Sequence, residues 1–214
     1  MSAFAKLAGE RIPTQEMVLA RSLVVTALCL LALSRKGISP WGTEKGLLLL
    51  RGLLGYGALS CFFWAVVRLP LADTTVIHFT NPVFTALLAA LFLGEVLRGW
   101  EVGLAFLALA GVVIVARPGF LLGQVSGLDP VAVGVALMGA ILSAGAYVTA
   151  RRLTRTHDPL VIVLAFAVVS LVGSAPATVP VFVLPRGAEW FFLLGVGLAT
   201  QAGQVFVTKA LKLE

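Results

Sequence analysis

Seven stretches of this chain are long and apolar enough to cross a lipid bilayer, and that feature constrains the fold more than any other. They run approximately over residues 14–34, 46–68, 71–94, 100–116, 130–151, 159–182 and 190–211. At 1.5 Å per residue, about 20 residues of helix span the roughly 30 Å of hydrocarbon in a bilayer. Hydrocarbon offers no water to backbone N–H and C=O groups, so such runs must satisfy themselves as helices. The alternating ten-residue pattern of a membrane barrel is absent. Composition agrees: 59% of the 214 residues are hydrophobic and 12% are charged, where a soluble domain carries about 25% charge. The expectation is an all-α, multi-pass integral membrane protein of about seven transmembrane helices, placed in the cell membrane, with the lipid bilayer as its main partner.

The 16 Lys and Arg against 10 acids are too dispersed for a nucleic-acid patch, so no nucleic-acid partner is expected. Their placement reports orientation instead. One set of alternate connections holds nine positives: Arg35, Lys36, Lys45, Arg98, Arg151, Arg152, Arg155, Lys209 and Lys212. The other holds five: Lys6, Arg11, Arg68, Arg117 and Arg186. The richer set is assigned to the cytoplasm. Cys29 and Cys61 both lie within apolar runs, so neither a disulfide framework nor a metal site is implied; no metal or cofactor is expected. Residues 1–13 are too polar for a signal-peptide core, and the first span must act as its own insertion signal.

Shifting the chain by 144 residues lays Val24-Val25-Thr26 on Val168-Val169-Ser170, Phe62 on Phe206, Ala58 on Ala202 and Arg68-Leu69 on Lys212-Leu213. With a two-residue adjustment, Lys6-Leu7 and Pro13 fall on Arg152-Leu153 and Pro159. The copies are separated by an odd number of spans, so they have opposite orientation, as in the inverted repeats of secondary transporters. The alternative is a coincidence of apolar segments. On the repeat reading, residues 1–116 form a first repeat lacking its first helix, and 117–129 a connecting loop. Residues 130–214 form a second repeat lacking its last two helices. The expected parent is a ten-helix, 5+5 bundle, and this chain alone is expected to be inactive and to oligomerise or aggregate to cover its polar faces.

Several motifs carry a resemblance. They are Arg51-Gly52-Leu53; Arg68-Leu69-Pro70-Leu71-Ala72-Asp73; the run Asn81-Pro82-Val83-Phe84-Thr85-Ala86-Leu87-Leu88-Ala89-Ala90; Leu93-Gly94-Glu95; Gly111-Val112-Val113-Ile114; the in-span Arg21; and the closing Ala210-Leu211-Lys212-Leu213-Glu214. In these the chain resembles the drug/metabolite transporter superfamily, EamA type, close to the G branch of the solute carrier 35 group. The resemblance implies two five-helix inverted repeats that move a small-molecule substrate by alternating access, with no bound cofactor.

Polar groups at membrane depth are expensive and usually face a cavity or the bundle interior. Thr74, His78, Asn81 and Thr85 fall at i, i+4, i+7 and i+11, one face of a helix. Pro82 removes an intrahelical hydrogen bond there and frees a carbonyl one turn back. The stripe either lines a substrate site or satisfies neighbouring helices. Tyr56, Ser60 and Trp64 share a face of the second span, and the 144-residue shift carries Ser60 and Trp64 onto Gln204 and Thr208. Gln201, Gln204 and Thr208 form a stripe of their own, so the two faces either meet a central cavity or hold helices together. Arg51 is expected to snorkel to the cytoplasmic interface. Arg21, deeper, either binds an anionic substrate or pairs with Glu16. Asp73 and Glu95 are expected to cap or anchor the third span. The substrate-binding candidates are therefore Arg21, Tyr56, Ser60, Trp64, Thr74, His78, Asn81, Thr85, Gln201 and Gln204.

No HExxH and no paired intramembrane aspartates occur, and one in-span histidine is a poor basis for an enzyme. The expected function is a secondary transporter of a small metabolite; the alternative is a channel or non-transporting membrane scaffold.

Overall fold

The computed structural model describes residues 6–9, 11–94, 99–116 and 129–213, and among them the regular structure is entirely helical. In chain order the helices are α1 (Thr14–Lys36), α2 (Lys45–Arg68), α3 (Leu71–His78), α4 (Asn81–Leu93), α5 (Gly99–Ala116), α6 (Pro130–Leu153), α7 (Pro159–Thr178) and α8 (Ala188–Leu213), with a 3₁₀ turn at Val179–Val181. Six stretches among the described residues are long and apolar enough to cross a membrane: α1, α2, the α3–α4 stretch, α6, α7 with its 3₁₀ turn, and α8. The seventh expected segment is present as helix α5 and is not one of those six.

The sequence explains the helix ends. Gly37, at φ 64°, takes the left-handed conformation after α1, and the Ile38 N–H reaches back to the Leu33 carbonyl at 3.1 Å. This is a Schellman closure, in which a residue without Cβ satisfies the last carbonyls. Asp158 caps α7 by accepting from the Leu160 N–H at 2.9 Å, and Pro159 takes the first helical position, where its missing N–H is harmless. Between α2 and α3 only Leu69 and Pro70 intervene, as the short connection in the sequence requires.

The third expected span is a correction. It is two helices rather than one kinked one, interrupted at Phe79 and Thr80. Pro82 cannot donate to the His78 carbonyl, and it serves instead in the first turn of α4. The Thr80 hydroxyl donates to the Ile77 carbonyl at 2.6 Å across the break.

The contacts divide the chain into two compact units. The first comprises Met1–Tyr56 and Thr149–Glu214. In it α1 packs along α7, and Val25, Cys29, Leu33, Leu48, Leu153, Ile162 and Ala167 form its core. Leu23, Leu30 and Leu31 of α1 and Phe191, Leu194, Leu198 and Phe206 of α8 point outward, as expected of a lipid-facing surface. The two ends of this unit are distinct. At one, the Thr43 N–H donates to His157 Nε2 at 3.0 Å, Thr156 donates to Glu44 at 3.0 Å, and Thr154 reaches the Leu211 carbonyl at 3.3 Å. At the other, Arg11 pairs with Glu189 at 3.0 Å and donates to the Leu184 carbonyl at 2.6 Å, while Glu16 accepts from the Val183 N–H at 2.9 Å.

The second unit comprises Gly57–Val148. Ala65, Leu69, Ile77, Ala132 and Ala136 form its core, with Trp64 and Val133 packed against them. Small residues allow close approach here: a Cβ on Gly139 would lie 2.9 Å from that of Cys61.

Candidate substrate sites

In the first unit, the residues that stand out are two arginines. Arg21 of α1 is 1% exposed and Arg51 of α2 is 3% exposed. Each places its guanidinium carbon 4.7 Å from the centroid of the Phe166 ring on α7, so the two cations lie within twice that distance of each other. Gly55, one turn beyond Arg51, makes the arrangement sterically possible. A Cβ there would lie 2.7 Å from two Phe166 ring carbons and collide with the Arg51 guanidinium. Gln204 of α8 accepts from Arg51 Nη2 at 3.2 Å. Arg21 has no hydrogen-bond partner for any of its three side-chain nitrogens among the described residues.

Two sequence expectations are corrected here. Arg51 does not snorkel; it is enclosed by α7 and α8. Arg21 does not pair with Glu16, whose Oε2 accepts from Val183 instead. Both fail for the same reason: helical position gives the depth of a side chain but not which neighbouring helix covers it. The spacing Arg51-x-x-x-Gly55 was the available signal, since a glycine one turn from a long cation makes room for it.

Several hydroxyls on α1, α7 and α8 of this unit contrast with one another. Ser174, Thr178, Thr200 and Thr208 donate to carbonyls four residues back, at 2.6–2.8 Å, the usual way a hydroxyl satisfies itself inside a helix. Ser22 and Thr26 on α1 and Ser170 on α7 do not; each lacks a partner among the described residues. Ser170 lies one turn beyond Phe166, and Ser22 adjoins Arg21. The 144-residue shift pairs Thr26 with Ser170, but nothing in the sequence marks these three hydroxyls as lacking partners, because Ser and Thr are unremarkable in membrane helices. Tyr56 donates from its hydroxyl toward Gln15 Oε1 at 3.2 Å and the Gly173 carbonyl at 3.1 Å. Gln201 binds the Cys29 sulfur, with Nε2 at 3.3 Å. The Gln201–Thr208 stripe thus reaches different partners: Gln201 meets α1, Gln204 meets α2 and Thr208 bonds its own helix.

The second unit holds Ser60, Trp64, Thr74, His78, Asn81 and Thr85. Asn81 donates to the Ala140 carbonyl of α6 at 3.2 Å and accepts from Thr85 at 3.0 Å. Thr74 back-bonds to the Pro70 carbonyl at 3.1 Å. The His78 ring lies 4.8 Å from that of Phe62, and Trp64 carries the Arg68 guanidinium 3.8 Å from its ring centroid. The break after His78 divides the expected polar stripe between two helices. The Ser60 hydroxyl has no partner among the described residues. Asp73 is a further correction: it makes no capping bond, is fully buried, and neither carboxylate oxygen has a hydrogen-bond partner among the described residues. Glu95, the other expected anchor, lies outside the described residues, as do Arg98, Arg117 and the loop before residue 129. No group of three or more potential metal ligands occurs among the described residues.

Comparison with known proteins gives four findings. Residues 1–117 match the EamA-like transporter family. The chain is similar to the pseudopaline exporter CntI of Pseudomonas aeruginosa, 33% identical over 211 residues, covering 98% of this chain and 72% of that protein. It is also similar to human solute carrier family 35 member G1, 31% identical, covering 90% of this chain and 55% of that one. A crystal structure of another protein superposes with a TM-score of 0.75 at 24% identity, over 98% of this chain and 72% of that chain, and shows the fold to be shared.

Proposed function

For a chain that belongs to the EamA-like transporter family, a multi-pass membrane protein whose relatives are named as transporters rather than enzymes, we propose secondary transport of a small metabolite by alternating access. The observation that carries this reading is the set of polar side chains buried in membrane-crossing helices without partners, Arg21 foremost. Buried polar groups without partners are rare, and at membrane depth they mark substrate pathways.

The inverted repeat is part of the proposal, and helix positions support it. Adding 144 carries Thr14–Lys36 to 158–180, onto α7 (Pro159–Thr178), and Lys45–Arg68 to 189–212, onto α8 (Ala188–Leu213). Packing supports it as well. A Cβ on Gly52 of α2 would meet Val169 of α7 at 2.5 Å, and one on Gly197 of α8 would meet Val24 of α1 at 2.8 Å. These are equivalent contacts under the shift to within one residue. Residues 1–116 and 130–214 are accordingly proposed as parts of the two repeats of a ten-helix, 5+5 bundle. The substrate-facing residues proposed are Arg21 and Gln204, joined by Tyr56 and Gln201. Ser60, Trp64, Thr74 and His78 are proposed as the substrate-facing residues of the second unit, with Asn81 and Thr85 shaping its helix break.

The test is counterflow. Liposomes holding the proposed ten-helix bundle are preloaded with unlabelled pseudopaline, the compound named for the relative, and offered labelled pseudopaline outside. A carrier exchanges one for the other, so uptake is faster into preloaded liposomes, and Gln204→Leu abolishes it. Equal uptake into empty and preloaded liposomes, or none, overturns the carrier reading in favour of a channel or scaffold.

A further inference from the structure

We propose that Arg21 and Arg51 form a binding site for the oxyanion group of a small organic acid, a carboxylate or phosphate, held against the Phe166 ring. This rests on the transport reading and names the substrate class its site selects.

Three observations lead to it. The first is charge: two guanidiniums are enclosed within one unit, both against one aromatic ring. The nearest acid along α1, Glu16, makes no bond to Arg21; its Oε2 accepts from the Val183 N–H and its Oε1 has no partner among the described residues. A ring face attracts a cation less strongly than burial penalises it. Phe166 therefore does not offset the burial of Arg21, and an anion would.

The second is donor polarity. All three Arg21 side-chain nitrogens, which carry its five N–H donors, lack acceptors among the described residues; Ser22, next along the chain, and Ser170, one turn beyond Phe166, are also fully buried with hydroxyls that have no partner there. A set of unused donors calls for a ligand group that only accepts. Carboxylate and phosphate fit, and the planar guanidinium fork matches both in a two-bond geometry that a lysine cannot reproduce.

The third is placement. The elements that meet at Phe166 are α1, α2 and α7, with α8 contributing Gln204 through Arg51. Of these, α1 and α7, and likewise α2 and α8, are the pairs exchanged by the 144-residue shift. A ligand held there touches both proposed repeats, where alternating access requires a fixed site. Because Arg21 is enclosed, binding requires the helices to part, which couples substrate entry to the movement that carries it.

The experiment measures thermal unfolding of the purified chain in detergent, titrated with citrate, with glycerol 3-phosphate and with glycerol, at ionic strength held constant with NaCl. A ligand that binds only the folded state raises its melting midpoint with concentration. We expect a saturable rise with at least one anion and none with glycerol. Citrate alone identifies a carboxylate site, and glycerol 3-phosphate alone a phosphate site. Arg51→Gln and Arg21→Gln should weaken the apparent affinity at least tenfold, and Lys45→Gln, an exposed cation, should leave it unchanged. Without anion, Arg21→Gln should melt at or above the parent, since it removes an uncompensated buried charge. No rise with either anion, or a rise that survives both arginine substitutions, overturns the proposal. So does a lower anion-free midpoint for Arg21→Gln that Arg21→Lys restores, because Arg21 is then a packing cation. Since the readout is binding, anion effects without counterflow would leave this site standing while the transport reading fails, and the converse holds equally.

Discussion

At the scale of single residues, Gly55 shows how little freedom the first unit has. It faces the Phe166 ring and the Arg51 guanidinium at distances that exclude a methyl group. Both neighbours are enclosed, so neither swings away, and overpacking of this kind costs about 1–3 kcal/mol. Gly55→Ala should therefore lower the denaturation midpoint in detergent, whereas Gly46→Ala, with open space around its position, should not. Equal stability of the two would mean that Phe166 and Arg51 can move apart freely. Arg21 was legible in the sequence as a charge that flanking apolar residues leave without an easy route to water. The burial of Arg51 was not, because the same stretch of α2 permits either snorkelling or enclosure. The choice depends on Phe166 and Gln204, which lie more than a hundred positions away.

Among the elements, the α3–α4 break is where local sequence and observed structure differ most instructively. A proline inside a membrane helix predicts a kink and a freed carbonyl; the chain instead ends one helix at His78 and begins another at Asn81. Thr80 closes the first helix through Ile77, and Asn81 ties the second to the Ala140 carbonyl. Pro82→Ala restores an N–H able to reach the His78 carbonyl. We expect the new amide at position 82 to be protected from hydrogen exchange, as the Phe79 and Thr80 amides already are by the Thr75 and Ile77 carbonyls, the melting midpoint to rise, and counterflow to slow. An unprotected amide at position 82 would show that Thr80 and Asn81 hold the break without the proline. The polar stripe from Thr74 to Thr85 presumes one continuous helix, and the break removes its common register.

For the whole molecule, the two ends of the first unit sort the charges as the sequence divided them. Loop 37–44, the turn after Leu153 and the end of α8 meet at one end, and with them stand Arg35, Lys36, Lys45, Arg151, Arg152 and Arg155. Arg11, Glu16 and Glu189 gather at the other, beside Arg186. With Cys29 and Cys61 replaced by serine, Ser39→Cys should be shielded from an impermeant thiol reagent in intact cells and Leu184→Cys should react. The reverse pattern would invert the assigned orientation and leave the helices as they are. Membrane class, the helical segments, the short α2–α3 connection and the family were all readable from the chain alone, because hydrophobic run length and local motifs are properties of contiguous residues. Tertiary structure decided the rest. Which polar groups are satisfied by a neighbour, as Asn81 is by α6, and which are enclosed without a partner, as Arg21 is, depends on the helix that packs against them. That contact is made between residues far apart in sequence, where no periodicity records it.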